Sequence, residues 1–224
     1  MTATTHEKAL SELRKSGDRL FFQQNGQTIS PWHDMPLFAA RQMETLNMVV
    51  EIPRKSHSKM EISKDDQYNP IKQDVSKGKP RAIADVLPFQ GYPCNYGPCN
   101  YGALPQTWES PNIVDTKTGI PGDNDPLDVC EIGNQPLGGF AVLDEGETDW
   151  KVVAIDLNDP LASNLSDIQD VDAVLPGYLD FLKAWYKLYK VRDGKPENTI
   201  ALGGRLEDQR CYVEWKKTRT GYPG

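Results

Sequence analysis

The sequence predicts an α+β fold: a small closed or partly open β-barrel followed by helices that cover it. Three observations point there. Short strand-like runs punctuated by Gly, Pro and Asp fill the chain as far as Pro160, apolar residues beyond it recur at helical spacing, and no linker separates the two parts. A chain of 224 residues suits one domain with a sizeable interior. The barrel core is expected over about 30–160 and the helical part over about 165–192.

Segment 6–15 carries Leu10 and Leu13 at helical spacing and is expected to be a short amphipathic helix. Residues 19–22, then Asn25-Gly26, then Thr28-Ile29 read as a hairpin around an Asn-Gly turn. Further strands are expected at 47–52, 59–63, 81–87, 127–132 and 150–157. Helices are expected at 167–174 and 176–189, the second with Leu179, Leu182, Trp185, Tyr186 and Tyr189 on one stripe. Pro176 would occupy its first position, where a missing N–H costs nothing. The pentapeptide Pro93-Cys94-Asn95-Tyr96-Gly97 recurs at once as Pro98-Cys99-Asn100-Tyr101-Gly102, a local duplication rather than a repeat architecture.

A net charge of −7 argues against a general nucleic-acid binder, which needs a basic footprint. An anionic substrate is still compatible with acidic residues when divalent cations stand between them. No apolar run approaches a membrane span, and the first residues, with Glu7, Lys8 and Glu12, do not read as a signal peptide. Cys94, Cys99, Cys130 and Cys211 form neither a CxxC pair nor a disulfide framework. These readings predict a cytoplasmic protein.

The strongest chemical signal is Gly122-Asp123-Asn124-Asp125-Pro126-Leu127-Asp128, in which crowded carboxylates repel one another unless solvated or neutralised by a cation. Taken alone it is a polar loop. It is not an EF-hand, because Asp128 and Asn134 stand where that loop needs Gly and Glu. Asp144-Glu145-Gly146-Glu147-Thr148-Asp149 is a second acidic cluster, alone a solvated turn. With Glu51 and Glu61 these groups supply oxygen ligands suited to hard cations such as magnesium. Lys59, Arg81, Lys151 and Lys190 are singly no more than surface charges.

Asp123 to Val129 resembles the D-x-D-P-x-D signature of the soluble inorganic pyrophosphatases, family I, eukaryotic type. Segments 47–54, 59–62, 69–74, 105–109, 143–151 and 189–198 are similar to the same family, in order. The resemblance implies a five-stranded OB-type barrel and hydrolysis of pyrophosphate to two phosphates with magnesium. It implies that Asp123, Asp128 and Asp149 bind metal directly, that Asp144 and Glu61 serve further metal positions, and that Glu51 stands in an outer carboxylate shell. Asp125 matches the general base. Lys59, Arg81, Lys151, Tyr92, Tyr189 and Lys190 match residues that hold the phosphates, with either Tyr96 or Tyr101. Tyr101 keeps the spacing to Pro105-Gln106-Thr107-Trp108 and is favoured. A homodimer is a further expectation from the family.

The chain departs from the family between Gly133 and Leu143, where a barrel strand and its turn are missing, and after Asn198. An opened barrel would expose unpaired edges. The alternative to a working enzyme is therefore an impaired relative that binds metal or phosphate, or serves as an interaction module.

Overall fold

The computed structural model describes residues 12–39, 45–54, 56–83, 98–133, 135–156 and 158–205. Its first strands are β1 (Glu12–Ser16), β2 (Arg19–Gln24) and β3 (Gln27–Ile29). Asn25 and Gly26 both adopt positive φ, 52° and 77°, as the expected hairpin turn requires. The helix expected at 6–15 is not found where the chain is described, since residues 12–16 pair with β2 from Glu12↔Gln23 to Ser16↔Arg19. Leu13 is 60% exposed in this strand.

Next come β4 (Val49–Ile52), β5 (Met60–Ile62), β6 (Ile71–Gln73), the ribbon β7 (Val75–Ser76) with β8 (Lys79–Pro80), and β9 (Asn100–Ala103). Of the strand expected at 81–87, Ala82 makes a single bridge to Ser58 and residues 84–87 lie outside the described residues. Strands β10 (Asp128–Gly133), β11 (Gln135–Asp144) and β12 (Glu147–Ile155) precede α1 (Ile168–Val174), α2 (Tyr178–Leu188) and β13 (Thr199–Arg205). Asp167 caps α1, accepting from the Gln169 N–H at 3.0 Å. Pro176 is not the first residue of α2: Gly177, at φ 76°, is the cap, which leaves Pro176 outside the helix. No helix among the described residues is long and apolar enough to cross a membrane.

The α+β class holds, but the barrel does not. The strands form a six-stranded mixed sheet, β13-β11-β12-β10-β9-β4, and an antiparallel sheet, β1-β2-β6-β5 with β3 on β2. Neither closes on itself. At the corner where a barrel would continue, β4 lies against β5 without joining it. The Glu51 carboxylate on β4 accepts the Ile62 N–H of β5 at 2.6 Å, taking a donor that backbone pairing would use.

The short stretch after Gly133 makes one strand, β11. β10 runs parallel to β12 on one flank and β11 returns antiparallel on the other, joined to β12 by Glu145-Gly146, both at positive φ. The outer flank of β11 is covered by β13, a strand that sequence patterning missed. It comes from the stretch beyond Asn198.

Alternation along β12 decides what each face carries. Trp150, Val152 and Ala154 enter one cluster with Leu104, Leu127, Val129 and Ala141. Val153 and Ile155 enter the other, with Phe140, Val142 and the apolar stripes of α1 and α2. Lys151 and Asp149 share the parity of Val153, so they point to the helical side. On β11, Asp144 shares the parity of Phe140 and Val142. On β10, Asp128 shares that of Cys130, which belongs to the helical cluster. The burial pattern thus carries a polar set onto the end of an otherwise apolar face.

Candidate active site

That polar set lines a cleft of about 410 Å³. Of the residues that the sequence singled out, Asp123, Asp125, Asp128, Asp144, Asp149 and Glu61 reach it, as do Lys59, Arg81, Lys151, Tyr101, Tyr189 and Lys190. Tyr92 and Tyr96 lie outside the described residues. Glu51 sits behind the cleft, 7% exposed, its carboxyl pushed up to about 8 by burial and by Asp128.

Asp123 and Asp125 stand on a loop pinned to residues 107–110. Glu109 N–H donates to the Asp125 carbonyl at 2.8 Å, Asn124 N–H to the Glu109 carbonyl at 2.9 Å, and Leu127 N–H to Thr107 Oγ1 at 2.9 Å. Asn124 takes positive φ, 70°, while its Oδ1 accepts the Trp108 indole N–H at 2.9 Å. Gly122 is required by contact, since a Cβ there would lie 2.5 Å from the carbonyl carbon and oxygen of Glu109. Asp123 Oδ1 accepts the Asp125 N–H at 3.0 Å.

Cations and carboxylates are interleaved across the cleft. Lys151, 2% exposed, lies 2.5 Å from Asp149 Oδ1 and also contacts Asp128, which accepts the Tyr101 hydroxyl. The same ammonium stands over the Tyr101 and Tyr186 rings at 5.4 and 5.2 Å. Lys190 pairs with Asp144 Oδ2 at 2.5 Å, and the Tyr189 hydroxyl donates to that oxygen at 3.1 Å. Lys59 bridges Glu61 at 2.6 Å and Asp74 at 2.8 Å, and Arg81 Nη1 meets Asp74 at 2.6 Å. Lys64 pairs with Asp125 Oδ1 at 2.6 Å.

The cations do not offset all of the crowded carboxylates, so burial and mutual repulsion push several of them towards the protonated form. Burial, then Asp128 and Asp125, push the Asp123 carboxyl up to about 7. Glu109 is raised well above the carboxylate range by burial and by Asp123 and Asp149, and Asp149 is raised by burial against the pull of Lys151. Lys151 keeps its proton well above the usual lysine range, because Asp128 and Asp149 outweigh the cost of its burial. Burial and Asp128 keep the Tyr101 hydroxyl protonated, so it donates.

These residues fit a divalent cation. Oxygens of Glu109, Asp123 and Asp149 lie within 4.8 Å of one another, and Glu109 Oε2 and Asp144 Oδ1 are buried without a hydrogen-bond partner. A hard cation would satisfy such oxygens and relieve their repulsion. Sequence reasoning did not single out Glu109, Asp74, Lys64 or Tyr186. Glu109 and Asp74 end two of the segments quoted for the family resemblance, and Tyr186 is on the helical stripe. Lys64 gave no signal, since a lone lysine after a strand is ordinarily a surface charge.

A cleft of carboxylates interleaved with lysines, arginine and tyrosine hydroxyls is the kind of site that holds divalent cations together with a phosphate-bearing anion. Residues 48–214 match the family model described as inorganic pyrophosphatase. The inorganic pyrophosphatase of Debaryomyces hansenii is 48% identical over 222 aligned residues, covering 91% of this chain and 76% of that protein. The structure of inorganic pyrophosphatase from Schistosoma japonicum is 42% identical with a TM-score of 0.84, covering 96% of this chain and 83% of that one. An N-terminally truncated vacuolar soluble pyrophosphatase of Trypanosoma cruzi, solved in complex with PPi, is 33% identical with a TM-score of 0.76, covering 92% and 87%. The chain belongs to the inorganic pyrophosphatase family, in its soluble, eukaryotic family I form.

Proposed function

We propose that magnesium is the cation with which this chain works and that its side chains divide the labour as follows. The chain hydrolyses pyrophosphate by a metal-activated mechanism. Asp123, Asp128 and Asp149 hold the directly bound cations, Asp144 and Glu61 serve further cation positions, and Glu51 supports them from behind. Divalent cations bound there would supply a water of lowered pKa and cancel charge on the substrate. Asp125 accepts the proton of the attacking water. Its side chain is 44% exposed, so the proton can pass on to solvent. Lys59, Arg81, Lys151 and Lys190 hold the phosphates by charge, while Tyr101, Tyr189 and Tyr92 donate hydrogen bonds without adding charge.

The observation that carries this reading is the convergence on one cleft of carboxylates from the loop before β10, from β10 itself, and from the ends of β11 and β12. Asp144 and Asp149 still flank the hairpin turn despite the shortened stretch before them, which supports hydrolysis over an impaired binding module. We place the protein in the cytoplasm as a single domain and take a homodimer as its assembly. The direct experiment is phosphate release from pyrophosphate across a magnesium titration, repeated with excess chelator. Release that rises with magnesium and vanishes with chelator is expected. Folded protein that releases none would overturn the reading.

A further inference from the structure

Lys64 lies just after β5 and reaches the loop of the other sheet, its Nζ 2.6 Å from Asp125 Oδ1. The other cations of the cleft are engaged elsewhere: Lys59 and Arg81 with Asp74, Lys151 with Asp128 and Asp149, Lys190 with Asp144. The bonds described above pin the backbone of the Asp125 loop to residues 107–110, and none of them holds the Asp125 carboxylate. That side chain is 44% exposed and Lys64 is 37% exposed, so burial does not select its direction either.

We propose that Lys64 is a positioning residue for the known reaction. It binds Oδ1 of Asp125, fixes the direction of the carboxylate, and leaves Oδ2 to take a proton from the attacking water. The inference rests on the reading of Asp125 as the base. An exposed ion pair contributes little to stability, so the value of this one lies in geometry. A base must come within hydrogen-bond reach of the proton that it abstracts, and misplacement by about 1 Å can cost on the order of 100-fold in rate. Partial misplacement, with the carboxylate still present, would cost about tenfold on the same scale.

The test uses the full chain, pyrophosphate and magnesium, with Lys64→Gln, Lys64→Arg, Asp125→Asn and the double variant Lys64→Gln/Asp125→Asn. Lys64→Gln should lower kcat about tenfold and leave KM within about twofold, because positioning acts on the chemical step. Lys64→Arg should recover most of the loss, and the rise of Tm with magnesium should match wild type in both. In the Asp125→Asn background, Lys64→Gln should cost nothing more. A raised KM with kcat intact would make Lys64 a phosphate-holding residue instead, and no change in either would make it a surface charge. A further loss in the double variant would also overturn the proposal. If Asp125→Asn itself kept the wild-type rate, the base assignment would fail rather than the contact with Lys64.

Discussion

Lys151 and Asp149, two residues apart on β12, point to the same face of the sheet and pair at 2.5 Å, with the ammonium 2% exposed. Period-two geometry puts them side by side, and the parallel register of β10 brings Asp128 opposite Lys151 to complete the contact. One buried cation thus meets two carboxylates at once.

Lys151→Met should therefore act on stability before it acts on rate. Removing one member of a buried ion pair typically costs about 3–5 kcal/mol. In a chain of this size that is a fall in Tm of about 10 °C, measured by calorimetry without added metal. Magnesium should recover part of the fall, since a cation replaces the lost charge. A Tm equal to that of wild type would show that the carboxylates simply take up protons.

Gly122→Ala tests the tether beneath the loop that carries Asp123 and Asp125. The added methyl meets the Glu109 backbone at 2.5 Å, so the loop or residues 107–110 must move. Overpacking of this kind costs about 1–3 kcal/mol, and the accompanying shift of Asp123 and Asp125 should lower kcat on the order of 10- to 100-fold. Thermal melts and steady-state turnover on the same preparation check both effects.

Asp125→Asn and Asp128→Asn should separate chemistry from metal binding. The first removes the proposed proton acceptor and should cost on the order of 100-fold or more in kcat while the magnesium-dependent rise in Tm survives. The second removes a buried anion that meets Lys151 and Tyr101 and should weaken that rise. Equal metal responses in the two variants would refute this division of roles.

Asp66 gives a pH prediction away from the cleft. Arg19, then Ser63 and Lys72, hold its carboxyl below the usual carboxylate range. A folded pKa below the unfolded value adds stability above the unfolded pKa, near 4, and that stability is lost as pH falls through the folded pKa. Asp66→Asn should lower Tm by a few degrees at pH 7, roughly 1 kcal/mol for a partly exposed cluster. The gap from wild type should close progressively in acid below about pH 4. A gap of constant size down to pH 2 would assign the effect to lost hydrogen bonds rather than to charge.

The sequence by itself determined the local features that depend on neighbours in the chain. The Asn25-Gly26 hairpin, the strands around 49–52, 60–62, 128–133 and 147–155, and the two helices follow from turn chemistry and apolar spacing. The acidic loop and its company of cations were legible too, through the motif they share with a family. Only the tertiary structure decided what depends on distant partners. Residues 12–16 became a strand because β2 offered an edge, and β13 was found because β11 needed one covered. The barrel failed where a Glu51 oxygen took the backbone donor of Ile62. Glu109 and Asp74 only end segments that resemble the family, and Lys64 carries no local signature that separates it from an ordinary surface charge. Their place beside Asp123, Arg81 and Asp125 arises from loops and strands that meet only when the chain is folded, because burial and Coulomb forces act on distance in space and not along the sequence.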